Sequence, residues 1–421
     1  MKQQQKVGRL NCSVLAVGDF PEGGATSQRL YLLTRLLDEG LGKAALYILH
    51  PASKTSIDEN RSIFGEWGGI TYEYLSGTTV RPRTIVGAAF DTLRGIYGAV
   101  RLLLGIGKAR PDVVVLYTPT LVKFAIPMIV AWIMRIPMFI EICEVYSHAT
   151  DDPDSGLLRR VLRGGESFME RLIPRTGSGL LVISQKIRTF YSQLGVDKVD
   201  MFLLPTLIDS DCYENGGHST VDSLEGKQYL LNSGSFNEKD GLPYLVGAVS
   251  RLRSSYPDIN LVFTGNAPAH VREQLLDIAG DGGEEWMVFT GFLSRDELIW
   301  CYKNAAGLLS CRSNSEYANY GLPTKLAEYL ITGRPVIATA VGDVGDYLED
   351  GRSAYLAKPE NEESIASAMG RMLGNPDLAH KVGRSGKGVA QEHFDYKKYI
   401  KPVSCFVRSK LGIDSGVQGD R

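Results

Sequence analysis

Short, unbroken apolar runs recur along the 421 residues, and helical patterns separate them. In the first half they fall at 12–18, 44–49, 113–117, 138–142 and 179–183, as in "VVVLY" and "MFIEI". In the second half they fall at 229–233, 261–265, 286–290, 306–310 and 335–339. Runs of this kind, without polar alternation, mark strands buried on both faces, and intervening helices make the sheet parallel and cover it on both sides. One-faced antiparallel sandwiches and helix bundles are excluded. The rhythm breaks once, at "LIDSDCYENGGHSTVDSLEGKQ" (207–228), which reads as a linker. A chain of this length exceeds one ordinary core. The pattern predicts two doubly wound α/β domains, 1–206 and 229–385, followed by a helical segment, 386–421, that packs back on the N-terminal domain.

Charge is uneven. Residues 1–205 carry 24 Lys and Arg against 19 Asp and Glu (24 − 19 = +5), and the remainder carries 22 against 29 (22 − 29 = −7). Residues 81–110 hold Arg81, Arg83, Arg94, Arg101, Lys108 and Arg110 against only Asp91. Such a stretch favours an anionic surface or substrate, although a solvated face explains the same charges. With "IVGAAF", "IYGAV" and "LLLGIG" between them it is expected to form an amphipathic basic surface that binds anionic lipid. The segment "FAIPMIVAWIMRIPMFI" (124–140) is broken by Pro127, Arg135 and Pro137, so it reads as a buried helix and strand rather than a span. The short N-terminal apolar stretch reads as a first strand, not a signal peptide. Six scattered cysteines without a C-x-x-C pair fit reduced thiols and a cytoplasmic protein. No nucleic-acid partner and no metal site are expected.

Ligands of doubly wound sheets bind beyond the C-terminal strand ends. After the first strand, Gly23 and Gly24 permit close backbone approach, and Ser27 is placed to cap a helix through Leu37 whose N-terminus favours an anion. An ordinary strand-to-helix turn explains the same residues. In the second half Gly234 and Ser235, with Lys239 nearby, end one strand; Gly265 and Asn266 end the next; Gly291 and Phe292 end a third. Three successive glycine-marked ends suit a nucleotide lying along one sheet edge, although each alone is a turn. In "NYGLPTKLAEYLITGRPVIAT" (319–339) Pro323 opens a short helix, which leaves the N–H groups of Thr324 and Lys325 for a diphosphate. Glu328, one turn on, can accept from two ribose hydroxyls, and it can equally form a surface ion pair with Lys325. Lys325 opposes the helix dipole, so its removal is expected to leave stability unchanged or slightly raised. In "FIEICEVYSHATDD" (139–152) a buried Glu141 needs a partner, while Glu144 and His148 follow the strand as candidate catalytic groups.

From Val14 to about Met372 the chain resembles the retaining glycosyltransferases of family 4, which have the GT-B fold. The resemblance is carried by the strand-end glycine turns, by "AEYLITGRPVIAT" and by "VGDVGDYLEDGRSAYLAKPENEESIASAM". It implies two Rossmann-like domains facing across a cleft. It also implies metal-independent, retaining hexosyl transfer from a UDP- or GDP-sugar donor, with no further cofactor, and Glu328 on the donor ribose. The acceptor would be a glycan or a lipid-linked molecule of cell-surface polysaccharide or glycolipid biosynthesis, met at the inner face of the plasma membrane. The chain departs from the family where Tyr320 replaces the first Glu of the E-x7-E motif, Ser235 the usual Arg and Asp240 the usual Lys. Lys239 and Lys325 are then the cations left for the diphosphate, and Lys325 joins Glu144 and His148 as a catalytic candidate. A non-catalytic GT-B scaffold and a nucleotide-sugar epimerase remain alternatives.

Overall fold

The apolar runs become parallel strands in the computed structural model, which describes residues 8–55, 60–145, 157–234 and 236–413. The chain divides into two units, one running to Leu207 and resuming at Tyr396, the other spanning Ile208–Asp395. The first contains β1 (Leu10–Ala16), α1 (Ala25–Leu41), β2 (Gly42–Ile48), β3 (Phe64–Trp67), β4 (Ile70–Tyr74), α2 (Ile85–Leu103), β5 (Val113–Tyr117), α3 (Leu121–Ile133), β6 (Met138–Ile142), α4 (Leu157–Thr176), β7 (Gly179–Val182), α5 (Gln185–Gln193) and β8 (Met201–Leu203). Its sheet runs β3-β4-β2-β1-β5-β6-β7-β8, and only the β3–β4 pair is antiparallel.

The second unit contains α6 (Ser210–Asn215), β9 (Tyr229–Ser233), α7 (Leu242–Leu252), β10 (Asn260–Thr264), α8 (Ala269–Ala279), α9 (Gly283–Trp286) and β11 (Met287–Gly291). It continues with α10 (Arg295–Asn304), β12 (Gly307–Ser310), α11 (Glu316–Tyr320), α12 (Thr324–Ile331), β13 (Val336–Thr339), α13 (Val344–Tyr347), β14 (Tyr355–Ala357), α14 (Glu362–Leu373) and α15 (Pro376–His393). Its parallel sheet runs β11-β10-β9-β12-β13-β14. Sequence order reverses at β1/β5 in the first sheet and at β9/β12 in the second, and these switch points open a crevice at the C-terminal strand ends.

The polar stretch 207–228 holds α6, and Ile208, Tyr213 and Leu224 anchor it in the second unit's core. After α15 the chain returns to the first unit, where α16 (Ile400–Lys410) lies along α1. Ser404 Oγ donates to Gly40 O (2.7 Å), and Tyr396, Val403 and Val407 join the core built on β1 and α1.

Three local readings are corrected. Helix α1 starts at Ala25 and ends at Leu41, so Ser27 lies inside its first turn and donates Oγ to Asp19 O (2.7 Å) instead of capping. Pro323 is the N-cap of α12, not its first helical residue. Helix α3 is not a buried helix: Phe124, Met128 and Ala131 face the sheet, while Val122, Ile126, Ile129, Trp132 and Ile133 are exposed. An apolar residue at nearly every position carries no period to say which side faces out. Strands β3, β4, β8 and β14 fall outside the predicted apolar runs: β3 is largely exposed, β4 mixes buried residues with polar ones ("ITYEY"), and the other two span three residues each.

Candidate functional site

The three glycine-marked strand ends of the second unit meet at its sheet edge. Gly234, just past β9, donates N–H to Thr264 O (3.3 Å), and Gly265 donates N–H to Gly291 O (2.8 Å). Gly265 has φ +111°, and a Cβ there would lie 2.6 Å from Gly234 O, so only glycine lets these turns approach. Asn266 and Phe292 follow as exposed residues on the same edge. Ser235 lies outside the described residues.

Helix α12 is pinned to this edge at the switch point. Leu326, Ala327, Leu330 and Ile331 bury its apolar face in the core, and Ser233 at the end of β9 donates N–H to Tyr329 Oη (2.7 Å). Its first N–H groups, on Thr324 and Lys325, precede any helical carbonyl that could take them. Lys325 Nζ lies 2.9 Å from Asp240 Oδ1 and 3.3 Å from where a Cβ on Gly234 would stand. Asp240 therefore does not merely replace a family cation; it is the counter-ion of Lys325. Burial alone would raise the Asp240 carboxyl, but the Lys325 ammonium and its hydrogen bond, with Arg312 and Lys239, outweigh it and hold the group below its usual range. Lys239 Nζ sits over the Tyr317 ring, 4.8 Å from its centroid. Arg312 is buried and donates to the carbonyls of Ala318 (3.0 Å) and Gly321 (2.9 Å), which fixes the loop ahead of Pro323.

One oxygen of Glu328 is already engaged, and not by Lys325. Arg295 at the start of α10 donates Nη1 to Glu328 Oε1 (2.8 Å) and Nη2 to Tyr213 Oη (2.6 Å), and the Tyr302 hydroxyl stands 3.5 Å from Oε2. This buried cluster joins α6, α10 and α12. Sequence reasoning missed Arg295 and Tyr213; the available signal was that a carboxylate on a buried helix face requires a cation.

In the first unit, a Cβ on Gly23 would meet Ser27 Oγ at 2.5 Å, so the turn after β1 also relies on close approach. Gly24 is the exposed N-cap of α1. Glu141 is fully buried on β6 and its partner is Arg29 of α1, which donates Nε to Oε1 (2.7 Å) and Nη2 to Leu204 O (2.9 Å). Arg29 also bonds Pro205 O. Glu144 follows β6 as a half-buried residue, and His148 lies outside the described residues. Burial, followed by the nearby Glu141 charge, pushes the intervening Cys143 thiol up to about 12, so it stays protonated. The structure thus gathers Gly234, Gly265, Gly291, Lys239, Lys325 and Glu328 in one unit and places Gly23, Gly24 and Glu144 in the other. Among the described residues, no group of three or more His, Cys, Asp or Glu is placed to hold a metal ion.

Two parallel α/β sheets, each with its own switch point, define the GT-B class, and known proteins agree. A solved Anabaena HepE in complex with UDP and glucose superposes with a TM-score of 0.69 at 14% identity, covering 95% of this chain and all of that one. More particularly, residues 227–375 match the family described as glycosyl transferases group 1. The sequence is 24% identical over 201 residues to an alpha-1,3/1,6-mannosyltransferase of Dictyostelium discoideum, covering 44% of this chain and 46% of that protein. It is 22% identical over 269 residues to an alpha-D-kanosaminyltransferase of Streptomyces kanamyceticus, covering 62% and 67%. The match to the first of these relatives spans about half of that protein's length.

Proposed function

We propose that the chain is a glycosyltransferase that moves a hexosyl group from a UDP- or GDP-sugar, with retention and without a metal ion, to a glycan or lipid-linked acceptor. The setting is cell-surface polysaccharide or glycolipid assembly at the inner face of the plasma membrane, with residues 81–110 against anionic lipid. The observation that carries the reading is the Lys325 ammonium, held in the first turn of α12 against Gly234 at the β9/β12 switch point. As the bond from the anomeric carbon to the diphosphate breaks, its electron pair passes to the leaving oxygen. Lys325, the N–H groups of Thr324 and Lys325, and Lys239 stand as fixed donors for that charge, and preorganised donors of this kind are the largest catalytic contribution in many enzymes. Glu328 meets the ribose through Oε2, with Arg295 fixing the carboxylate. Glu144 and His148 serve the acceptor side. The relatives named above, an alpha-mannosyltransferase among them, support sugar transfer.

The alternative of a non-catalytic scaffold has its own support, because Asp240 already neutralises Lys325. One experiment separates them. The chain is titrated calorimetrically with UDP- and GDP-sugars, and slow donor hydrolysis is followed without acceptor. Binding with hydrolysis is expected from the transferase, and an absence of hydrolysis would identify the scaffold.

A further inference from the structure

Helices α2 and α3 leave an apolar surface that none of the described residues covers. Both carry the chain in one direction across the sheet, from β4 to β5 and from β5 to β6, while α1 returns from β1 to β2. Right-handed crossovers therefore set α2 and α3 side by side on the face opposite α1, and they pack on each other. Helices in one layer turn their outer stripes the same way. On α2 the outer stripe is Val86, Phe90, Leu93 and Tyr97, at helical spacing, and on α3 it is Val122, Ile126, Ile129 and Ile133 with Trp132 beside it. Phe90 is 62% exposed, Ile129 55% and Trp132 69%. Exposed apolar stripes on two helices packed side by side mark an interaction site.

Charge names the partner. Residues 81–137 hold Arg81, Arg83, Arg94, Arg101, Lys108, Arg110, Lys123 and Arg135 against Asp91 and Asp112. Asp91 is buried and bonded to Arg81 and Thr78, and Asp112 lies before β5 where it accepts from the Asn11 N–H. Arg94 and Arg101 lie over the Phe90 and Tyr97 rings at 6.0 and 5.9 Å, on the flank of the stripe. A two-fold copy of the chain would bring two faces of the same positive charge together. An apolar surface with aromatic residues and flanking cations fits an anionic bilayer. The helices lie on it rather than cross it: none of the described helices is long and apolar enough to span a membrane.

We infer that α3 joins α2 in an anionic-bilayer docking surface, with Ile126, Ile129, Trp132 and Ile133 immersed among the acyl chains. This deepens the lipid contact proposed for residues 81–110 and rests on it. The N-terminal ends of α2 and α3 stand at the C-terminal edge of the sheet. With the helices lying along the bilayer, that edge stands beside the headgroups, where a lipid-linked acceptor is presented.

The test uses the full chain with phosphatidylcholine vesicles, with and without phosphatidylglycerol. Co-sedimentation and quenching of tryptophan emission by brominated lipid are read for the parent, Ile129→Ser/Ile133→Ser and Arg94→Glu/Arg101→Glu. The parent is expected to bind the anionic vesicles with strong quenching. Each double variant is expected to bind at least about tenfold more weakly, the first through lost apolar burial and the second through lost attraction. These side chains are exposed, so the variants fold. If Ile129→Ser/Ile133→Ser binds and is quenched like the parent while the arginine variant is not, α3 faces water and the inference falls, although the basic surface of α2 survives. If the parent ignores anionic vesicles and elutes as a dimer that the α3 substitutions dissociate, a second copy covers this face and the inference is overturned. Donor titration of the same variants is read separately, so a chain that docks without binding donor refutes the transferase reading alone.

Discussion

Lys325 and Asp240 are close together and nearly out of water, their side chains 12% and 7% exposed. Considered on the helix alone, Lys325 opposes the dipole at a cost of ~0.3–1 kcal/mol, which is why its loss was expected to be harmless. The pair reverses that sign, because removing the cation leaves a buried carboxylate with weaker compensation. Lys325→Ala is expected to lose ~1–3 kcal/mol in urea unfolding, below the cost for a fully buried pair because Arg312 and Lys239 remain nearby. Lys325→Ala/Asp240→Ala should recover most of that loss and still bind donor about tenfold or more weakly than the parent, the effect of one missing charged hydrogen bond. Normal donor binding by the double variant would move the phosphate cation to Lys239. Because the Asp240 carboxyl is held below its usual range, the pair contributes fully above the ordinary carboxylate pKa of about 4. It is lost only as pH falls through the lower folded value.

Helix α1 is tied to β6 and to the chain beyond β8 through one arginine, since Arg29 reaches Glu141 together with Leu204 O and Pro205 O. Arg29→Leu strands a fully buried carboxylate and should cost ~3–5 kcal/mol, whereas Arg29→Leu/Glu141→Leu removes both charges and should come back close to the parent. Thermal unfolding of the two variants decides, and equal destabilisation would mean that the contacts to Leu204 and Pro205, not the ion pair, secure the helix. The same pair shows what was legible in the sequence. The requirement that Glu141 be partnered was readable from its place in "MFIEI", but the partner lies 112 residues away inside "SQRLYLLTRLL", where nothing in the spacing singles out Arg29 over Arg35. Glu328 and Arg295 repeat the lesson across α12 and α10. Strands β5, β6 and β9 were readable to the residue because their runs are unbroken, and the glycine turns were readable because close approach leaves few other residues possible. Helix α3 was misread for the opposite reason, being apolar on every side.

In the whole molecule, the first unit is built from two separated parts of the chain. Tyr396, Val403 and Val407 fill its core from the far end of the sequence, and Gly40 lets α16 approach, since a Cβ there would stand 3.0 Å from Ile400 O. Ending the chain at Asp395 is expected to abolish the first unit's transition in scanning calorimetry and to leave that of Ile208–Asp395 in place. Two unchanged transitions would show that α16 merely decorates the surface. The same arrangement bears on synthesis. Domains on a ribosome ordinarily fold in the order in which they emerge, but here the first unit emerges first and receives its last helix only after the whole second unit has been made. Until residues 396–410 are translated, the side of α1 that α16 will cover stays open as a chaperone would meet it. The first unit is therefore begun before the second and finished after it.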